Sequence, residues 1–336
     1  MTRIDAWVAP AAKRKLERQS IELGPLGDEE VELEVEHCGI CHSDLSVLND
    51  EWGISTYPAV LGHEVIGRVV EVGAASRGVQ PGQRVGIGWT AGSCMFCRSC
   101  LSGDQHLCAQ AQPTIVAHHG GFASRVRAHW AWAIALPDEL PGADAGPLLC
   151  GGITVFNPLA MYARPTSRVG ILGIGGLGHM GVKFAAAYGC EVTAFTSSEK
   201  KFDEARGFGA HRVVATRDAQ AVGQLSGELD LLIVTANVSL DWDGLLATLA
   251  PHGRLHVVGA VLEPMPISIM PMLMKQASLS ASPTGSPVDI ATMLEFAARH
   301  DIAPTTEHFP MSRVNEALEH LEAGRARYRI VLDADF

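Results

Sequence analysis

Residues 168–178 restrict the fold of this chain more tightly than any other stretch. Arg168-Val169-Gly170-Ile171-Leu172 reads as a buried strand, and Gly173-Ile174-Gly175-Gly176-Leu177-Gly178 follows at once. From Leu177 to Tyr188 the spacing and composition are helical. A lone G-x-G-x-x-G is weak, but between strand and helix it is the setting in which the motif binds a dinucleotide. Gly173 permits the tight turn, Gly175 lets the backbone approach a pyrophosphate, and Gly178 lets the helix pack closely on the strand. The helix N-terminus, with Gly176 and Leu177 in the same turn, offers N–H groups and a positive dipole end to phosphate. Strand-like runs recur at 191–196, 211–215, 230–235, 254–259 and 277–281, with helical segments between several of them. Six strands with intervening helices predict a doubly wound parallel sheet.

The residues before this region read differently. Val31-Glu32-Leu33-Glu34-Val35-Glu36 alternates with period two, the pattern of a half-buried strand. Short runs at 65–73, 83–88, 120–124 and 133–137, punctuated by Gly and Pro, predict a small, mostly β domain. At 336 residues the chain exceeds one core, so the expected division is 1–151, 152–282 and a return segment, 283–336. The return segment carries two helical stretches, 289–300 and 311–323, the second with Ser312 as its expected N-cap, and a last strand at 328–333.

Within the β region, Cys94-x-x-Cys97-x-x-Cys100-x₇-Cys108 places four thiols in fifteen residues. That set fits a closed tetrahedral zinc site of structural type. Four free thiols or an iron–sulfur cluster are the alternatives, and nothing nearby suggests electron transfer. A second set is dispersed. Cys41 and His63, 22 positions apart, are ligand types zinc prefers, with Asp44 and Glu64 as neighbouring carboxylates. On that stretch alone a buried free cysteine and a core histidine fit as well. Cys150 is the natural third ligand, and two thiolates with one imidazole leave a fourth position for water or substrate. The histidines at 118 and 119 read as solvated, and Trp52 and Trp89 as candidate walls of an apolar slot or as ordinary core aromatics.

Composition narrows the classes of function. A net charge of −11 argues against nucleic acid or an anionic membrane as partner. No run of 18 apolar residues and no apolar N-terminal stretch is present, and eight cysteines with four clustered suit metal binding in a reducing compartment. A cytoplasmic enzyme is the expectation.

Together these motifs resemble the zinc-dependent medium-chain alcohol dehydrogenases, in their cinnamyl-alcohol dehydrogenase and bacterial aldehyde-reductase branch. The resemblance covers essentially the whole chain. It rests on C-G-I-C-H-S-D-L, Y-P-A-V-L-G-H-E, the four-cysteine lobe, L-L-C-G-G-I-T-V and G-I-G-G-L-G-H, in that order. It implies a GroES-like catalytic domain interrupted by a Rossmann domain, in a dimer or tetramer. It also implies a catalytic zinc on Cys41, His63 and Cys150, with Glu64 able to approach the metal and Asp44 orienting His63. Cys94, Cys97, Cys100 and Cys108 would hold a second, structural zinc. Ser43 would take the substrate proton, and His42 and Thr154 would lie along the cofactor. Cys38 and Cys190 match no ligand position and read as core residues.

The sequence departs from the branch in two places. The segment between Cys108 and Gly120 is short, and Ser46 stands where many relatives have the histidine that passes the proton to solvent. Ordered water or His42 would then complete the relay. The second strand ends in Thr196-Ser197-Ser198, with no carboxylate at its tip to bond a ribose 2′-hydroxyl. Those hydroxyls and Lys201 suit a 2′-phosphate, so NADP(H) is expected. The expected activity is hydride transfer between NADP(H) and a primary alcohol or aldehyde, aromatic or medium-chain aliphatic. A zinc-free quinone or enoyl reductase and a non-catalytic cofactor-binding protein are the competing readings.

Overall fold

The structure, a computed structural model, describes residues 2–336. It divides into two compact units, one formed by Gly151–Pro283 and the other by 1–150 together with Thr284–Phe336.

The Gly151–Pro283 unit is built on a six-stranded parallel sheet. In spatial order its strands are Arg212–Ala215, Glu191–Thr196, Arg168–Leu172, Leu229–Val234, Leu249–Val257 and Ser278–Ala281. Counted along the chain this is the order 3-2-1-4-5-6 of dinucleotide-binding sheets. The central strands are apolar because both faces are covered: Val169, Ile171, Val192, Ala194, Leu232 and Ile233 are buried. The helix Gly178–Ala187 follows the first strand directly, so the glycine-rich turn lies at the carboxyl end of the sheet.

The other unit centres on the long strand Glu30–Ile40. It pairs antiparallel with Glu64–Val72 on one side and with Arg329–Asp333 and Arg125–His129 on the other. Thr306–Pro310 adds parallel to Arg329–Asp333, so the return segment completes the sheet that carries Glu30–Ile40. A short ladder between Thr90–Gly92 and Gln112–Pro113 closes the base of the cysteine lobe.

Four local expectations change. Alternation placed Glu32 on a solvent face, but Glu32 is fully buried. Its two carboxylate oxygens accept from Arg125 at 2.7 Å and Arg127 at 2.9 Å, which offsets the cost of burying the charge. Residues 120–124 form no strand; they are a bend with one isolated bridge, Ala6 to Ala123, and the strand begins at Arg125. Of 133–137 only Ile134–Ala135 is strand. Ser312 is not a helix cap. It lies in a 3₁₀ turn, Met311–Arg313, and its hydroxyl donates to Asp335 at 2.5 Å, so the helix begins at Val314. The preceding helix, Pro287–Arg299, is capped by Ser286, which exchanges bonds with Asp289 in a capping box.

Candidate metal centres and cofactor turn

Cys41 directly follows the central strand and caps the next helix, His42–Asn49. Its Sγ accepts the Ser43 N–H at 3.2 Å, while its own N–H donates to Asp44 Oδ2 at 2.9 Å. His63 is delivered by Gly62, which has φ +94°. A Cβ on Gly62 would stand 2.5 Å from the Phe122 ring and 2.8 Å from Cys38 Sγ, so only glycine makes this turn. Glu64 opens the next strand. Cys150 follows the 3₁₀ segment Gly146–Leu149, which lies against the Glu64 and Gly39 backbones.

These segments bring three ligand atoms together. His63 Nε2 is 3.3 Å from Cys41 Sγ and 3.3 Å from Cys150 Sγ, and the two sulfurs are 3.9 Å apart. Tetrahedral zinc, with bonds of about 2.3 Å to sulfur and about 2.0–2.1 Å to nitrogen, sets its ligand atoms about 3.6–3.8 Å apart. The sulfur pair stands close to that range and the nitrogen lies about 0.3 Å nearer each sulfur, so the donor set fits such an ion after a small outward shift of the imidazole. Asp44 Oδ1 accepts from His63 Nδ1 at 3.1 Å and from the Gly62 N–H at 2.9 Å, which turns Nε2 toward the sulfurs.

The site is buried and acidic. Cys41 is held well below the ordinary thiol range, because the Cys150 thiol donates to it and His63 stands beside it, against the opposing effect of burial. Burial alone would lower the His63 pKa, but Asp44 and Cys41 outweigh it and hold the imidazole well above its usual value. Burial raises the Glu64 carboxyl, and Arg329 partly offsets the rise. One Glu64 oxygen accepts from the buried Arg329 guanidinium; the other, Oε2, is buried with no hydrogen-bond partner. A carboxylate oxygen of Glu64 falls within 4.8 Å of the Cys41, His63 and Cys150 donor atoms. An unbonded buried carboxylate oxygen beside three ligands is itself a donor suited to a cation.

Arg329 escaped the sequence reading. The available signal was a single charged residue inside the apolar run Tyr328-Arg329-Ile330-Val331-Leu332. Such a charge must find a buried partner. The aromatic neighbours are now placed. Trp89 meets the His63 ring edge-on with centroids 5.2 Å apart, and Trp52 meets Trp89 at 5.9 Å. Ser43 is half-buried, and His42 is exposed. Ser46 is buried and donates to Glu51 Oε2 at 2.7 Å. His119 is exposed, but His118 is half-buried with Nδ1 3.2 Å from the Thr114 carbonyl.

The four-cysteine lobe is a second cluster. Cys94 and Cys100 Sγ are 3.9 Å apart, Cys97 and Cys108 3.8 Å, and Cys108 and Cys94 3.6 Å. These separations again match a tetrahedral ion. Backbone N–H groups of Cys97 and Gln110 donate to Cys94 and Cys108 sulfur at 3.4 and 3.3 Å. The Phe96 and Cys97 N–H groups bring Cys94 down to about 6, while burial pushes Cys100 up to about 11. Cys38 and Cys190 are buried and belong to neither set.

In the other unit Gly173 has φ +96°, and nothing lies within 4 Å of where a Cβ on Gly175 would stand. A Cβ on Gly178 would meet the Gly173 carbonyl. The turn of Gly173, Gly175, Gly176, Leu177 and Gly178 is thus open over Gly175 and closed beneath Gly178. Thr196 ends its strand buried, Ser197 is exposed, and Ser198 N donates to Thr196 Oγ1 at 3.3 Å. Lys201 reaches back to the same turn, its ammonium donating to the Ile174 carbonyl at 2.7 Å. Thr154 lies in the helix Gly151–Tyr162 and donates to the Pro283 carbonyl at 3.1 Å.

Comparison with known proteins gives these sites a setting. Residues 27–138 match the family model of the alcohol dehydrogenase GroES-like domain, and residues 176–299 match that of the zinc-binding dehydrogenases. Over 330 residues, 98% of each chain, the sequence is 52% identical to aldehyde reductase AdhA of Synechocystis sp.. Among solved structures, cinnamyl alcohol dehydrogenase SbCAD4 of Sorghum bicolor superposes with a TM-score of 0.94 at 36% identity, covering 99% of this chain and 98% of that one. The Helicobacter pylori cinnamyl alcohol dehydrogenase complexed with NADP(H) gives 0.90 at 27% identity over 99% and 98% of the two chains. The fold is that of the medium-chain dehydrogenases, a GroES-like domain joined to a Rossmann-type domain. The chain belongs to the zinc-type medium-chain alcohol dehydrogenases, in the branch of the cinnamyl-alcohol dehydrogenases and bacterial aldehyde reductases.

Proposed function

We propose that this chain transfers a hydride between NADP(H) and a primary alcohol or aldehyde, aromatic or medium-chain aliphatic. In this reading Cys41, His63 and Cys150 hold a catalytic zinc, and Cys94, Cys97, Cys100 and Cys108 hold a structural one. The observation that carries it is the buried cluster of two thiols and one imidazole at tetrahedral spacing, with a partnerless Glu64 oxygen beside it. A zinc-free reductase needs none of these groups.

When bound, zinc polarises the substrate oxygen and the nicotinamide carries the hydride. The chain's own residues do the rest. Asp44 fixes the His63 tautomer. Trp89 and Trp52 supply an apolar wall that excludes water and suits a flat or hydrocarbon substrate. Ser43 takes a hydrogen bond from the alcohol and relays its proton. The Ser46 hydroxyl, already donated to the exposed Glu51 carboxylate, offers an outlet where relatives use a histidine. At the glycine-rich turn the Gly178 helix receives the pyrophosphate, and His42 and Thr154 lie along the dinucleotide. Thr196, Ser197, Ser198 and Lys201 receive the 2′-phosphate. The Helicobacter pylori neighbour, complexed with NADP(H), supports that choice of cofactor.

A homo-oligomer is part of the same reading. The strand Ser278–Ala281 ends its sheet with one edge unpaired among the described strands. In the stretch that leads into it and on the strand itself, Leu262, Ile269, Met270, Leu273, Met274 and Leu279 are exposed. Such an apolar edge is a pairing surface in a folded protein. Among the described residues no helix is long and apolar enough to cross a membrane.

The decisive experiment is a panel of aromatic and aliphatic aldehydes reduced with NADPH and with NADH, with and without a zinc chelator. NADPH should win by at least about tenfold in kcat/KM, the worth of one charge-assisted bond. Parity, or a preference for NADH, refutes the cofactor assignment, and chelator-resistant turnover refutes the metal.

A further inference from the structure

A second titratable cluster lies outside the candidate centre, on the segments that position it. His308, on Thr306–Pro310, has Nδ1 at 3.0 and 3.2 Å from the two Asp333 oxygens and Nε2 at 3.1 Å from Asp144 Oδ1. A neutral imidazole has one N–H and one lone pair, so it cannot donate to carboxylates on both sides. With both carboxylates ionised, only the imidazolium satisfies this geometry. Asp144 also accepts from the Thr306 hydroxyl, and Asp333 from His37 Nδ1 at 2.8 Å.

The cluster ties together the segments that deliver the site. His37 stands on the strand that ends at Ile40, just before Cys41. Asp333 stands on the strand that carries Arg329. Asp144 sits in the short helix Gly142–Ala145, which runs straight into Gly146–Leu149 and Cys150. A Cβ on Gly146 would stand 2.6 Å from the Glu64 carbonyl, so this segment has little slack against the strand of Glu64. The other charges nearby are occupied elsewhere: Glu307 meets His320 at 2.8 Å, and Arg84, against Gly142, donates to Glu36 at 2.9 Å.

We propose that His308, held as an imidazolium between Asp144 and Asp333, is a positioning residue for the Cys150 end of the candidate metal centre. It locks the Cys150 segment to the strand that bears Arg329 and, through His37, to the strand that leads into Cys41, and it makes that lock stronger in acid than in alkali. The metal part of this inference rests on the function proposed above; the lock itself does not. The two carboxylates outweigh the effect of burial and raise the His308 pKa above its ordinary value. The sign follows. A raised pKa in the folded state gives stability that is fully present below the unfolded value, about 6.5, and is lost as pH rises through the folded one.

Three measurements test it. In the wild-type chain, NMR titration of the His308 ring should give a midpoint above about 6.5; a midpoint at or below that value overturns the lock. His308→Asn should lower Tm by about 1–2 °C at pH 6, with the gap closing by pH 9, the scale of roughly 1 kcal/mol in a chain this size. A gap that does not change with pH means mere packing and overturns the proposal. At pH 6 the variant should release one of its zincs to a chelating dye about 3–10-fold faster than wild type, less than the 10–100-fold typical of a ligand's direct partner. Equal release overturns the positioning role. Should His308→Asn fail to fold, Asp144→Asn serves, expected to lower the ring's midpoint and speed release; an unchanged midpoint together with unchanged release overturns the proposal. A wild-type protein that binds no metal refutes the function proposed above, and the midpoint and the Tm gap still decide the lock.

Discussion

The four-cysteine lobe draws its sulfurs from residues 94–108 and leaves two of them half-exposed, whereas Cys41, His63 and Cys150 span 109 positions and are buried. The lobe's nearby partners are its own backbone N–H groups. The buried set leans on Asp44, on Glu64 and, 265 residues along the chain from Glu64, on Arg329. Four thiols close a tetrahedron, while three ligands with an adjacent carboxylate leave one position open. The contrast teaches that a closed set can be built by a short loop and serve stability. An open one must be held by the whole core, because its ligands are not allowed to collapse onto the remaining position.

The largest effect separates the two by activity. Cys150→Ser should cut kcat by at least about 10³-fold, the scale of several kcal/mol of charge stabilisation, with little change in Tm. Turnover that survives this change would erase the distinction. The mirror experiment is Cys97→Ser, expected to cost on the order of several kcal/mol in urea unfolding, because a structural zinc supplies folding free energy. Metal analysis should find two zincs in wild type and one in each variant.

Arg329→Leu sharpens the comparison further. It leaves the Glu64 carboxylate buried and unpaired beside the open centre, at a cost of about 3–5 kcal/mol by denaturant titration. The double variant with Glu64→Leu should recover most of that loss in stability; no recovery would mean that the pair is not what Arg329 supports. The smallest of these effects concerns the proton, which only the open centre must dispose of. Ser43→Ala should lose about 10²-fold in kcat, the scale of general acid–base assistance. Near-full kcat, with a deuterated substrate showing hydride transfer to be rate-limiting, would remove Ser43 from the mechanism.

Legibility in the sequence followed the range of the interactions. The lobe and the glycine-rich turn were readable because cysteine spacing and glycine placement act over a few residues. Glu32 was misplaced because period-two alternation reports side-chain direction, not which partners wait on that side; Arg125 and Arg127 come from a strand some ninety residues later. Ser312 was misread for a similar reason, since Asp335 competes for the hydroxyl that local pattern assigned to a helix N-terminus. The run 120–124 is rich in glycine and packs by close backbone approach to residues 60–62 rather than by strand pairing.

By itself the sequence determined the class of the chain: a parallel dinucleotide sheet, a mostly β partner unit, a thiol lobe and the ligand types of a zinc dehydrogenase. These rest on periodicity, turn chemistry and donor identity, which each segment carries alone. Only the tertiary structure decided that Arg329 neutralises Glu64, that Ser46 hands its hydrogen to Glu51, and that His308 lies between two carboxylates. A charge finds its partner through the fold that removes both from water, and chain separation, 265 residues for Glu64 and Arg329, holds no record of that distance.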